Sequence, residues 1–169
     1  MVGYLGVIGQ QEGIEYLLEA ARYIKEDLKR DDIFWGIVGG GPHLDQLRKQ
    51  ATKMELDDIV EFTGRVPDAQ LLDYLNTADV CVNSDEYNAM NDKSTMNKIL
   101  EYMALGKPIV QFDLVEGKVS AQQASLYALK NDPIDMARKI VELLDDPARR
   151  EQMGAFGRHR VINELEWEY

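Results

Sequence analysis

The sequence is poor in the residues that carry redox and metal chemistry. Its one cysteine, Cys81, leaves no internal disulfide to form. Its place in the apolar run "ADVCVN" marks it as a core thiol. The two histidines, His43 and His159, have no partner at metal-ligand spacing and are read as structural or surface residues. No metal and no cofactor are therefore expected. No apolar run approaches the ~20 residues that span a bilayer. The start of the chain lacks the basic segment of a secretion signal and carries Gln10, Gln11 and Glu12 early, so a cytoplasmic location is the expectation. Positive charge is scarce as well. Against 30 acidic side chains stand 19 Lys and Arg, a net charge of −11. A nucleic acid needs a basic surface to neutralise its phosphates, so it is not an expected partner. One small phosphorylated ligand remains compatible, because local dipoles can oppose the global field.

What is present is a globular chain of 169 residues, long enough for a full core, with 45% hydrophobic residues. Short apolar runs alternate with segments of helical period. Strands are expected at "YLGVI" (4–8), "IFWGIVG" (33–39), "IVEFTG" (59–64), "ADVCVN" (78–83), "PIVQFD" (108–113) and, more weakly, "ASLYAL" (124–129). Between them, Ile14, Leu17, Leu18, Ala21 and Ile24 share one helix face, as do Leu44, Leu47 and Ala51. Asp68 is placed to cap a helix carrying Leu71, Leu72 and Leu75. Asp132-Pro133 and Asp146-Pro147 each pair a capping side chain with proline at the first helical position. The alternation predicts an α/β fold: a Rossmann-like three-layer αβα sandwich on a parallel sheet of about six strands. The whole of 1–169 reads as one domain. Both ends read as cuts in a longer protein, since "MVGYLGVIG" enters a strand at once and "ELEWEY" ends on Trp167 and Tyr169.

Ligands of such sheets bind beyond the carboxyl ends of the strands. The turn "GVIGQQEG" (6–13) offers glycines and a helix start but not the dinucleotide spacing. "VGGGPHL" (38–44), with Gly39, Gly40 and Gly41, makes a corner bare of side chains that suits a phosphate, a sugar ring or plain close packing. It is not a Walker loop. In "FTGRVPD" (62–68), Arg65 is either a phosphate clamp or an exposed charge. No G-x-S-x-G elbow is present.

The richest segment is "DKSTMNKILEYMALGKPIV" (92–110). Met96, Ile99, Leu100 and Met103 define the buried face of a helix. Lys93, Asn97 and Glu101 fall at i, i+4 and i+8 on another face. A helix start at 93–95 leaves the N–H groups of Ser94, Thr95 and Met96 as donors for a diphosphate, with Lys93 or Lys98 adding charge. Glu101 lies roughly 10 Å further along the axis, at ~1.5 Å per residue. It can accept two hydrogen bonds from a vicinal diol such as a ribose. A capped helix with a solvated glutamate is the plainer alternative.

In order, "VGGGP", "EFTGRVPD", "LLDYLNTADVCVNS" and "LEYMALGKPIV" resemble the C-terminal, donor-binding domain of family 4 (group 1) glycosyltransferases, two-domain enzymes with the active site between Rossmann-like halves. The resemblance covers nearly the whole chain. It implies a nucleotide-diphosphate-sugar donor and transfer to an acceptor hydroxyl, with retention of configuration and no essential metal, in surface polysaccharide or glycoconjugate synthesis. A sugar or lipid-linked acceptor would come from a missing N-terminal domain, leaving the fragment alone inactive. By the resemblance, Glu101 matches the second glutamate of the E-x7-E motif, which holds the ribose. Ser94, Thr95, Met96 and Asn97 match the loop on the donor sugar and phosphates. Gly64, Arg65 and Val66 match the loop beside the base, and Gly39 to Gly41 match the glycine-rich turn.

The chain departs from the pattern at three charges. Lys93 stands at the first glutamate, and Val7 and Glu12 stand where an arginine and a lysine would neutralise the leaving diphosphate. Lys93 or Lys98 is the candidate replacement, and no catalytic residue is assigned. Two other readings remain: a noncatalytic nucleotide-sugar-binding or scaffold domain, and an unrelated doubly wound phosphate-binding regulator with Asp85 or Asp113 as its carboxylate. Arg149, Arg150, Arg158 and Arg160 on the last helix form either a solvated face or a peripheral membrane contact.

Overall fold

The computed structural model describes residues 1–165; the Trp167 and Tyr169 of the sequence reading lie outside them. Six strands, β1 (Val2–Leu5), β2 (Trp35–Val38), β3 (Val60–Gly64), β4 (Val80–Asn83), β5 (Ile109–Phe112) and β6 (Ser125–Ala128), form one sheet in the order β3-β2-β1-β4-β5-β6. Every neighbouring pair is parallel. β1, β2, β4 and β5 are buried along nearly their whole length, which is why they read as continuous apolar runs rather than alternating ones.

The helices are α1 (Ile14–Glu26), α2 (Leu44–Lys53), α3 (Asp68–Thr77), α4 (Asn97–Ala104), α5 (Val115–Ala121), α6 (Pro133–Leu144) and α7 (Pro147–Glu164). Two cores result, one on each face of the sheet. Ile14, Leu17, Leu18, Ala21 and Ile24 of α1 join Leu47, Ile140 and Leu143 in the first. Leu75 of α3 joins Ile99, Tyr102 and Met103 of α4 in the second. Each buried Leu or Ile contributes about 1.5–3 kcal/mol of burial energy. The expected Rossmann-like αβα sandwich is therefore the observed fold.

Three local readings shift. The run 4–8 leaves the ladder after Leu5, yet Gly6 N–H still donates to Val38 O and Ile8 N–H to Gly40 O, and Ile8 plugs the core from the loop. The apolar run thus outlasts the strand. Helix α3 is capped by Pro67 in extended geometry, and Asp68 is its first residue with no capping bond. Helix α5 has no counterpart in the sequence reading. It contains a glycine and two exposed valines, Val115 and Val119, so it shows neither propensity nor an apolar face. It is tied from outside: Asp92 accepts from Val115 N–H, and the Arg160 guanidinium donates to Val119 O and Ser120 O. Both Asp-Pro caps form as expected, Asp132 accepting from the N–H groups of Ile134 and Asp135, and Asp146 from that of Arg149.

Candidate functional site

The sheet order reverses between β1 and β4, and these two strands pair only at Val2↔Val80 and Gly3↔Cys81. Beyond Gly3 they diverge. A cleft of about 960 Å³ opens there, between α3 and the start of α4, as expected for the switch point of a doubly wound sheet. Tyr102 of α4 closes its inner wall. Its buried hydroxyl accepts from Leu5 N–H at 2.8 Å and donates to Val82 O at 3.3 Å, joining the strand ends that no longer reach each other. Burial pushes this phenol well above the ordinary tyrosine range.

The β4–α4 connection is stitched to the β1–α1 turn by buried polar groups. Ser84 Oγ donates to Glu12 O, Glu86 N–H to Gln11 O, and the Asn91 side chain to Gln11 O and Glu86 O. This connection carries a 3-10 turn, Asn91–Lys93, after which Ser94 is extended and Met96 caps α4. The helix therefore begins at Asn97, not at 93–95. Ser94 N–H donates to Asn91 O, and Ile99 N–H to Met96 O. Among the described residues, the N–H groups of Thr95, Met96, Asn97 and Lys98 have no hydrogen-bond partner. Their residues all line the cleft, as do Ser94 and Glu101. Glu101 lies four residues after Asn97, hence on the same face and ~6 Å along the axis. It is exposed, and its carboxylate carries no hydrogen bond among the described residues.

The side chains expected to add donors are already engaged. Ser94 Oγ donates to Met90 O at 2.7 Å, and Thr95 Oγ1 to Glu116 at 2.8 Å. Lys98 Nζ contacts both oxygens of Asp85, at 2.9 and 3.0 Å, and Asn83 Oδ1 at 3.2 Å, 5.3 Å from the Tyr4 ring centre. Asp85 is buried, and desolvation raises its carboxyl pKa while Lys98 pulls it down and Glu12 pushes it further up. The carboxylate of Glu12 accepts from Gly9 N–H. Among the described residues, Glu12, Asp68, Asp85 and Glu101 line the cleft against one cation, Lys98.

The sequence profile of the family described as Glycosyl transferases group 1 matches residues 1–146. The chain belongs to this family. Among relatives of this glycosyltransferase chain, a GDP-mannose-dependent monoacylated alpha-(1-6)-phosphatidylinositol monomannoside mannosyltransferase of Corynebacterium glutamicum is 30% identical over 135 residues, 78% of this chain and 35% of that protein. The alpha-D-kanosaminyltransferase of Streptomyces kanamyceticus is 28% identical over 156 residues, covering 90% and 38%. The chain thus spans about a third of the length of these relatives. A crystal structure of a TarM mutant from S. aureus in complex with UDP superposes with a TM-score of 0.85 at 21% identity, over 98% of this chain and 32% of that one. The C-terminal domain of a glycosyl transferase group 1 family protein, LpcC of Francisella tularensis, superposes at 0.81 and 17% identity, over 99% and 86%. At these identities the superpositions establish the fold alone.

Other sequence candidates fall outside the cleft lining. Lys93 is exposed on the 3-10 turn and does not share a helix face with Asn97 and Glu101. Gly39, with φ 141°, and Gly41 serve close packing: a Cβ would stand 1.8 Å from Gly6 O and 2.3 Å from Ile8 O, respectively. Gly40 adjoins Arg65, and Arg65 and Val66 lie on the neighbouring turn. Asp113 pairs with Lys118 at 2.7 Å. The arginine cluster is mostly engaged: Arg149 pairs with Glu142, Arg150 donates to Leu143 O and Leu144 O, and buried Arg160 braces α5. No described helix is long and apolar enough to cross a membrane.

Sequence reasoning missed the Asp85–Lys98 pair and buried Asn91. The available signal was the polar "NSD" at the carboxyl end of a strand buried on both faces. Such residues must find partners.

Proposed function

We propose that the chain is the donor-binding half of a glycosyltransferase that takes a nucleotide-diphosphate sugar and transfers the sugar to an acceptor hydroxyl. One observation carries the reading: four consecutive unpartnered N–H groups, Thr95 to Lys98, open a helix into the switch-point cleft with Glu101 one turn further on. These donors and the positive end of α4 hold the diphosphate. The dipole adds about 0.3–1 kcal/mol, and up to ~2 in a partly buried site. Glu101 accepts from the 2′ and 3′ hydroxyls of the ribose. The base then points toward Leu71, Leu72 and Leu75 of α3, which line the cleft. As the glycosidic bond breaks, the same N–H groups meet the growing charge on the leaving diphosphate, which is where stabilisation lowers the barrier.

The acceptor, a sugar or a lipid-linked one, is presented by a second domain across the cleft. The chain alone binds donor without transferring sugar. Retention of configuration, independence of metal, action in glycoconjugate synthesis and a cytoplasmic site are part of this proposal. A panel of UDP, GDP and their sugars in thermal melts tests it, since a ligand that binds only the folded state raises Tm. A shift with one base family is the expected result; no shift with any member overturns the assignment.

A second reading has one observation in its favour. Among the described residues, the only cation lining the cleft is already paired, and Val7 and Glu12 add none. A domain that binds a nucleotide sugar and has lost transfer would look the same, and sugar transfer by the full-length protein separates the two.

A further inference from the structure

An ammonium group has three N–H donors, and all three of Lys98 are taken: two by Asp85 and one by Asn83. The pair is enclosed, with side-chain exposures of 12% for Lys98 and 4% for Asp85. Tyr4 of β1 lies under the ammonium, and Gly6 lies over the stem, where an added Cβ would come 3.3 Å from Lys98 Cε. Yet both members line the cleft, and Lys98 is the second residue of the helix whose free N–H groups face it. An anion seated on those N–H groups is within the span of a lysine side chain. To use that charge it must draw Lys98 away from an anion the protein already supplies.

We infer that Asp85 is a positioning residue that stores Lys98 on the cleft floor, yields it to the ligand's diphosphate, and takes up one proton from solvent as it does so. This rests on the donor-site reading above. The charges balance: the ammonium changes partner, and the abandoned carboxylate is neutralised by a proton. Burial and Glu12 favour that outcome once Lys98 leaves, against the opposing hydrogen bond of Asn83. Glu12, from the β1–α1 turn, repels its charge, while Tyr4 and Tyr102 are buried neutral phenols. Asn83 works the other way, since its hydrogen bond favours the ionised carboxylate, and it is outweighed by burial and Glu12. Burial already pushes the carboxyl upward, and Lys98 is the main influence holding it ionised.

Calorimetric titration of the full chain with UDP and with GDP tests this, in buffers of differing ionisation heat above about pH 7, where a terminal phosphate is ionised. Wild type is expected to take up close to one proton on binding and Asp85→Asn none. With the competing anion removed, Asp85→Asn is expected to bind about tenfold tighter, whereas Lys98→Met binds about tenfold weaker. Wild-type affinity should fall as pH rises, and that of Asp85→Asn should stay flat. Binding without proton uptake, or Asp85→Asn as weak as Lys98→Met, overturns the role while leaving the donor site standing. No binding of either nucleotide to wild type removes the donor site itself, and the role with it. Should Asp85→Asn not fold, the buffer series on wild type decides alone.

Discussion

Removing one oxygen atom from Tyr102 should measurably loosen the switch point. The Tyr102 hydroxyl is the only group bonding Leu5 N–H and Val82 O among the described residues, at 2.8 and 3.3 Å, because β1 and β4 stop pairing at Gly3↔Cys81. Tyr102→Phe keeps the buried ring and orphans a donor and an acceptor. Leaving a buried polar group unpaired costs about 1–3 kcal/mol. Leu5 is only half-buried, and Val82 O is a weaker partner at its longer distance, so about 2–4 kcal/mol in total is expected. For a domain of this size each kcal/mol moves Tm by ~2–4 °C, giving a fall of about 5–15 °C. Urea unfolding should show a lower midpoint with an unchanged slope, because the surface exposed on unfolding is the same. A midpoint shift worth less than ~0.5 kcal/mol would refute the reasoning that this phenol replaces missing strand pairing.

Gly39→Ala should destabilise the chain by about 1–3 kcal/mol in chemical denaturation, since the new methyl meets Gly6 O at 1.8 Å from a φ of 141°. Asp132→Ala should lower stability by about 0.5–2 kcal/mol, as two N–H groups at the start of α6 lose their acceptor. Burial pushes the Cys81 thiol up to about 12, so native protein should resist a thiol reagent at mildly alkaline pH and react on unfolding. Because this folded-state value is raised from 9.0, the thiol's contribution to stability is intact below 9.0 and is lost as pH climbs toward 12. Cys81→Ala should flatten that part of the stability-versus-pH curve.

Much of this was legible because burial on both faces writes itself into composition. The strands are short apolar runs, and α1 and α6 announce themselves by period and by Asp-Pro cap. What resisted reading depended on distant partners. Helix α5 is held by Asp92 and Arg160, not by its own propensity. The start of α4 is displaced to Asn97 because Asn88 and Asn91 fold the preceding connection into a 3-10 turn. Helical spacing grouped Asn97 and Glu101, which both line the cleft, with Lys93, which does not; Lys98 was named for its charge alone. That Lys98 is already paired was not legible, since Asp85 reaches it from the far end of the β4–α4 connection. The glycines at 39 and 41 look alike in sequence whether they face a ligand or a neighbouring turn, and here they pack against the turn after β1.

In the proposed site, the start of α4 holds a diphosphate while Glu101 holds the ribose beside it. Glu101→Ala, compared with wild type, should be titrated with a nucleoside diphosphate and, separately, with inorganic pyrophosphate. Nucleotide binding is expected to weaken at least tenfold, about 1.4 kcal/mol or more, with pyrophosphate binding unchanged. Equal nucleotide affinity in both proteins would contradict this role of Glu101.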